Sequence, residues 1–238
     1  MGASSSGQRT APAGAVVLTA ALMAVVAAAG RLGPPHTMLI AGPVGALLLV
    51  EVARRAGLHA DDLGLSRRSW RSGAAYAGIC AAAVAVAYTM VALVPITRWA
   101  FRDERYTTAM GTAVLTALVV VPLGTVLFEE FAFRGVLWGL VRSRRGPARA
   151  TIVSSVLFGL WHILPSLRLN RVNPAVARLV GPGPTGQVLA VAGAVAFTAL
   201  AGFVLCELRR RSGSLLAPIG LHWAVNGFGV LAAAGAAR

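Results

Sequence analysis

The sequence contains no lysine. All 22 of its basic residues are arginine, set against eight acids, for a formal net charge of +14 over 238 residues. Charged residues make up only 13% of the chain, about half the share an ordinary soluble domain carries, which excludes that class. Cysteine is nearly absent. Cys80 and Cys206 both lie in apolar runs, so neither a disulfide framework nor a Cys-x-x-Cys metal motif can be built, and both read as small core residues. Ten-residue segments of alternating hydrophobicity are missing too, which excludes a membrane β-barrel. Internal repeats and low-complexity segments are also lacking.

What is present is apolar and continuous. Hydrophobic residues make up 57% of the chain and the mean hydropathy is +0.72. Runs such as "AAAVAVAYTMVALVPI" and "VLAVAGAVAFTALAGFVLC" have the length of bilayer-crossing helices, which need about 20 apolar residues. The fold class is therefore all-α, a polytopic transmembrane helical bundle. Seven spans are expected, at 13–30, 37–53, 73–96, 109–141, 148–165, 184–206 and 214–234. The fourth is too long for a straight crossing, and Pro122 and Gly124 are placed to bend it. A polar tail at 1–12, N-terminal helices at 13–108 and a transmembrane core at 109–238 give the domain order. The opening "MGASSS" matches an N-myristoylation pattern formally, and 13–30 imitates a signal peptide. An uncleaved first helix is the expectation.

A pI near 11.8 would point to nucleic acid in a soluble protein. Here the arginines fall between apolar runs, so they read as topology-setting loop charge, and no nucleic-acid partner is expected. With the N-terminus inside, the inner segments hold thirteen arginines and the outer ones eight. That bias predicts a multi-pass plasma-membrane protein with a cytoplasmic N-terminus. Arginine used without lysine, amid abundant alanine and glycine, hints at a GC-rich bacterial genome. The stretch "HADDLGLSRRSW" (59–70) reads as a solvated loop leading to an interfacial Trp70, in preference to a metal site on His59, Asp61 and Asp62.

Three places put polar chemistry into apolar helices: Glu129, Glu130 and Arg134 in "LFEEFAFRGVL", His162 in "FGLWH", and His222 with Asn226 in "GLHWAVN". Ionisable groups at membrane depth are costly and mark function. Glu130 and Arg134 stand four apart with the acid first, the favourable order for an ion pair. Glu129 is rotated about 100° from Glu130 and is left to point elsewhere. Phe158 lies one turn before His162, and His222 one turn before Asn226. A carboxylate and a histidine can deprotonate a water, while a second histidine and an amide can donate to an oxyanion. Alternatively, Glu129, His162 and His222 are a zinc ligand set. Singly, such groups are often helix–helix hydrogen-bond partners; a proton or ion pathway is the remaining reading.

The motifs "EEFAFR", "FGLWH" and "HWAVN", in that order on separate helices, resemble the EExxxR, FxxxH and HxxxN motifs of the CPBP intramembrane proteases (CAAX proteases and bacteriocin-processing enzymes, also called the Abi family). The resemblance covers roughly 109–230. It implies an intramembrane endopeptidase, labelled a metalloprotease though a metal-free glutamate mechanism is also argued, acting on membrane-associated protein or peptide substrates. Eukaryotic members remove the terminal tripeptide of prenylated CAAX proteins, and many bacterial members are linked to bacteriocin processing or self-immunity. It further implies that Glu129 and His162 activate the water, that His222 and Asn226 stabilise the oxyanion, and that Glu130, Arg134 and Phe158 support them. Zinc is the cofactor in question. An eighth helix of some members is not expected here. A catalytically silent immunity or scaffold protein and a proton-coupled transporter are the rival readings; the two related halves with broken helices that mark transporters are not seen.

Overall fold

The computed structural model describes residues 12–94, 101, 103, 105 and 108–236. The N-terminal tail with Arg9, together with Arg98, Arg102 and Arg238, lies outside the described residues. Among those described there are helices and turns and no strand. Pro12–Leu32 (α1) and Met38–Arg55 (α2) form a hairpin; the short Ala60–Leu63 (α3) leads into Trp70–Leu93 (α4). The chain resumes at Met110–Leu115 (α5) and passes through Leu127–Glu130 (α6) to Trp138–Trp161 (α7). Three short helices follow, Ile163–Ser166 (α8), Leu169–Val172 (α9) and Pro174–Val180 (α10). Pro184–Ser212 (α11) and Leu216–Ala236 (α12) close the chain.

Over its described residues, each of the seven apolar ranges read from the sequence coincides with a long helix or helical run. Five described segments are long and apolar enough to cross a membrane. One of them, Met110–Ser166, holds two of the expected spans. It folds back on itself at Gly146, whose φ of 77° and ψ of 171° belong to a region essentially restricted to glycine. The α2 helix is not among the five; its 18 residues include Glu51, Arg54 and Arg55.

The bend expected at Pro122 and Gly124 takes a particular form. Wider π-type turns run over Thr116–Val120, Pro122–Val126 and Phe131–Leu137, with α6 between the last two. Proline cannot supply the amide that a regular ladder needs, and π turns recur at functional sites. Here they bracket and follow the two glutamates.

Packing is of apolar skin around a partly polar interior. Ile40, Leu47, Ile79, Val86, Phe197 and Leu200 are exposed, as lipid-facing residues are. Glu130 and Arg134 are fully buried. After the Gly146 elbow α7 runs antiparallel to the preceding segment: Trp138 Nε1 donates to Thr151 Oγ1 at 3.2 Å and Ser154 Oγ to the Phe133 carbonyl at 2.8 Å. The α11 helix then lies against α7, and α12 against α4, where the Tyr88 hydroxyl donates to the Val225 carbonyl at 3.0 Å. Elements far apart in sequence thus meet around 127–137. The region 59–70 is a compact turn. The His59 amide donates to the Asp62 carboxylate at 3.0 Å, and Asp62 lies 3.5 Å from Arg142.

Candidate active site

The site is built on the helical turn that carries both acids. Four residues along, with the side chains on one face, Arg134 Nη1 donates to Glu130 Oε1 at 2.9 Å, and both side chains have zero exposure. The ion pair expected from the spacing is present. Glu130 does more than neutralise the arginine, because its Oε1 also accepts from His222 Nδ1 at 2.7 Å, 92 residues away on α12. Glu130 therefore ties the 127–137 segment to the last helix.

The rest of the guanidinium rests on aromatic surface. The Arg134 Cζ lies 4.0 Å from the centroid of the Phe158 ring and 5.8 Å from that of Phe133. Its Nε and Nη2 have no hydrogen-bond acceptor, so a cation–π contact, strongest when desolvated, replaces one. Phe158 is the hub of the site. Its ring also meets His162 edge-on at 4.7 Å, His222 at 5.8 Å and Phe133 at 5.1 Å. Room for this comes from α11. A β-carbon at Gly202 would lie 3.3 Å from both Arg134 Nη2 and Phe158 Cδ1 and 3.1 Å from Ser155 Cα.

Glu129 points away from Arg134, as its rotation requires. Its Oε1 accepts from Trp161 Nε1 at 2.9 Å. Its Oε2 is buried without a partner, 3.8 Å from His222 Nε2, a separation too long for a direct hydrogen bond. Trp161 is the residue that reading the sequence passed over. An indole N–H in an apolar run must find an acceptor, and Trp161 immediately precedes the motif histidine.

The tautomers follow from the partners. His162 Nδ1 is 2.8 Å from the Phe158 carbonyl. A carbonyl only accepts, so Nδ1 carries the hydrogen and neutral His162 presents a lone pair at Nε2. His222 Nδ1 likewise carries its hydrogen toward the Glu130 carboxylate. His162, His222 and Asn226 share a cavity of about 420 Å³ walled by Phe197, Ala201 and Leu221 among others. Glu129 lines a second cavity of about 210 Å³ with Trp161, Arg31 and Met38. The structure thus groups both histidines and the amide, sets Glu129 beside His222, and shows no hydrogen bond between Glu129 and His162 among the described residues.

The fit of a metal can be judged from the donors. Among the described residues no group of three or more His, Cys, Asp or Glu side chains is arranged to hold an ion. That covers Glu129, His162 and His222, and equally His59, Asp61 and Asp62. In the motif set, acceptors hold both Nδ1 atoms and Trp161 holds Glu129 Oε1, which leaves His162 Nε2, His222 Nε2 and Glu129 Oε2 as the available donors, and these are not gathered as a ligand set. The residues as arranged do not form a zinc site.

Fold and site together define a multi-pass helical membrane protein with a buried acid–arginine–histidine cluster between its helices. A family model, type II CAAX prenyl endopeptidase Rce1-like, matches residues 107–228. That is just over half of the chain and takes in all three motifs, and the chain belongs to this family. The family is one of CAAX protease-type intramembrane endopeptidases. No curated protein and no solved structure matches the chain.

Proposed function

We propose that the protein is an active endopeptidase that hydrolyses peptide bonds of membrane-associated protein or peptide substrates from the plasma membrane. The observation that carries this reading is the unpartnered, buried Glu129 Oε2 beside an imidazole whose other nitrogen is fixed by an ion pair. Glu130 also keeps one buried oxygen without a hydrogen bond, but its carboxylate is sealed at zero exposure between Arg134 and His222, whereas Glu129 lines a cavity and turns Oε2 toward His222 Nε2.

In the proposed mechanism the substrate's scissile bond lies in the cavity of His162, His222 and Asn226. Glu129 and the lone pair of His162 Nε2 draw a proton from a water, and the hydroxide adds to the peptide carbonyl. Trp161 holds Glu129 through its other oxygen, which aims Oε2. The oxyanion accepts hydrogen bonds from the Asn226 amide and from His222 Nε2. The latter donates only when His222 carries both protons. In that form it is a cationic donor where negative charge develops. Glu129 or His162 then returns the proton to the leaving amine. Glu130 and Arg134 hold His222 in place and touch no reacting atom.

This mechanism is written without a metal, because Glu129, His162 and His222 are not arranged as a ligand set among the described residues. Purified protein with stoichiometric zinc, whose activity is lost to chelator and restored by zinc, would overturn that part. The reading as a whole is tested by comparing membrane-peptide profiles of cells expressing wild type or Glu129→Gln. Specific uncut precursors should accumulate in the variant; identical profiles would favour a silent scaffold or immunity protein.

A further inference from the structure

A third cavity, of about 610 Å³, opens at the other end of the bundle from the α8–α10 helices, between the 59–70 turn, the Gly146 elbow and the end of α11. It is separate from the two cavities of the candidate active site. Four arginines line it, Arg68, Arg142, Arg209 and Arg210, with one carboxylate, Asp61. Two of the four are matched by acids: Arg142 lies 3.5 Å from Asp62, and Arg210 is held by Glu207 at 2.6 Å. Arg68 and Arg209 form no ion pair among the described residues.

Arg209 is the built part of this wall. It is only 3% exposed. Its Nη2 donates to the Asp61 and Asp62 carbonyls at 3.1 and 3.0 Å, while its Nε has no acceptor. Its Cζ lies 5.3 Å from the buried Trp138 ring, and Arg142 approaches the same ring at 5.4 Å. A side chain at Gly64 would collide with the Arg209 guanidinium, so the turn is shaped to admit it. Burying an arginine without a carboxylate is costly; the unpartnered Nε faces Gly64 and is closed off from the cavity, so what a phosphate meets here is the charge of Arg209 behind the exposed guanidinium of Arg68. Ser72, exposed on the same wall, adds a hydroxyl.

Position narrows the source. The apolar α11 segment ends at Ser212, α4 begins at Trp70, and Trp70 is half-exposed beside Arg67. That is the level at which tryptophan and phospholipid headgroups meet. Basic pockets between helices at this level suit anionic headgroups.

We propose that this cavity binds a phosphate-bearing anion, with the headgroup of an anionic phospholipid as its source. The test uses the full chain in uncharged detergent, titrated with short-chain phosphatidylglycerol, phosphatidylcholine of the same chain length, or inorganic phosphate, with melting temperature as the readout. Phosphatidylglycerol should stabilise saturably and phosphatidylcholine should not. Arg68→Gln should weaken half-saturation about tenfold and Ser72→Ala should weaken it less. Arg71→Gln, exposed and off the cavity, should leave it unchanged. Arg209 also holds the turn, so the two exposed wall residues are the ones substituted. Inorganic phosphate saturating at the same concentration, and sensitive to Arg68→Gln, would support the phosphate site with the free anion as its source. No saturable stabilisation by either anion, or equal weakening by Arg68→Gln and Arg71→Gln, would overturn the proposal.

Discussion

Two adjacent glutamates have unequal surroundings, and their substitutions should separate accordingly. Glu130 is shared by Arg134 and His222 at zero exposure. Stranding one member of a buried pair costs about 3–5 kcal/mol, so Glu130→Gln and Arg134→Ala should lower the melting temperature and the amount of protein in the membrane. Glu129 keeps one oxygen on Trp161 and one free. Glu129→Gln should melt close to wild type and lose turnover. Melting temperatures and single-turnover rates of the three variants in nanodiscs check this; a Glu130→Gln protein as stable as wild type, with Glu129→Gln unfolded, would reverse the assignment. The ion pair was legible in the sequence because spacing on one helix fixes it. The His222–Glu130 bond was not, since it joins residues 92 apart and no periodicity encodes which helices become neighbours.

At the scale of the helix, α11 is shaped by where it is small. At Gly202 a β-carbon would press on Phe158, Arg134 and Ser155, whereas at Gly193, exposed on the same helix, it would meet nothing within 4 Å. Gly202→Val should therefore destabilise by about 1–3 kcal/mol through overpacking and tilt Phe158 out of its contacts with both histidines. Gly193→Ala should be neutral or mildly stabilising, since alanine is the better helix former. Thermal melts of the pair give opposite signs if the packing is as described. Gly146→Ala should cost about 1–3 kcal/mol, because its backbone lies where a β-carbon is strained. The elbow was half-legible. The apolar runs on either side were read as separate spans, but "RRGPAR" names a break without saying that α7 turns back to lay Ser154 on Phe133. The π turns were hidden behind one proline and one glycine, for the same wide turn leaves no distinct hydrophobic period.

For the whole molecule the sequence carries an orientation as well as a fold. The thirteen arginines on one side against eight on the other favour an inside N-terminus. Reporter fusions after residues 60, 145 and 212 should all report the cytoplasm, and a periplasmic signal at 145 would refute the arrangement. These three points fall at one end of the bundle. The Leu215 amide donates to the Gly64 carbonyl at 2.9 Å, and Arg142 reaches Asp62. The α4 and α12 helices start together at that end: a β-carbon at Gly73 would clash with Ser214, and Tyr88 bonds Val225 higher up. The two are therefore parallel, as an alternating path through the membrane requires.

The reach of each polar contact along the chain also bears on how the protein is made. Glu130 and Arg134 are four residues apart, so each neutralises the other as soon as their own helix forms. The segment can leave the translocon for lipid carrying a dipole instead of two bare ions. Glu129 has no such companion nearby. Trp161 is 32 residues downstream and His222 a further 61. During synthesis its carboxyl waits until the helix carrying His222 arrives. The residue proposed to act on water is thus the one left unsettled longest in biogenesis, and its surroundings are complete only once the helix carrying His222 is in place.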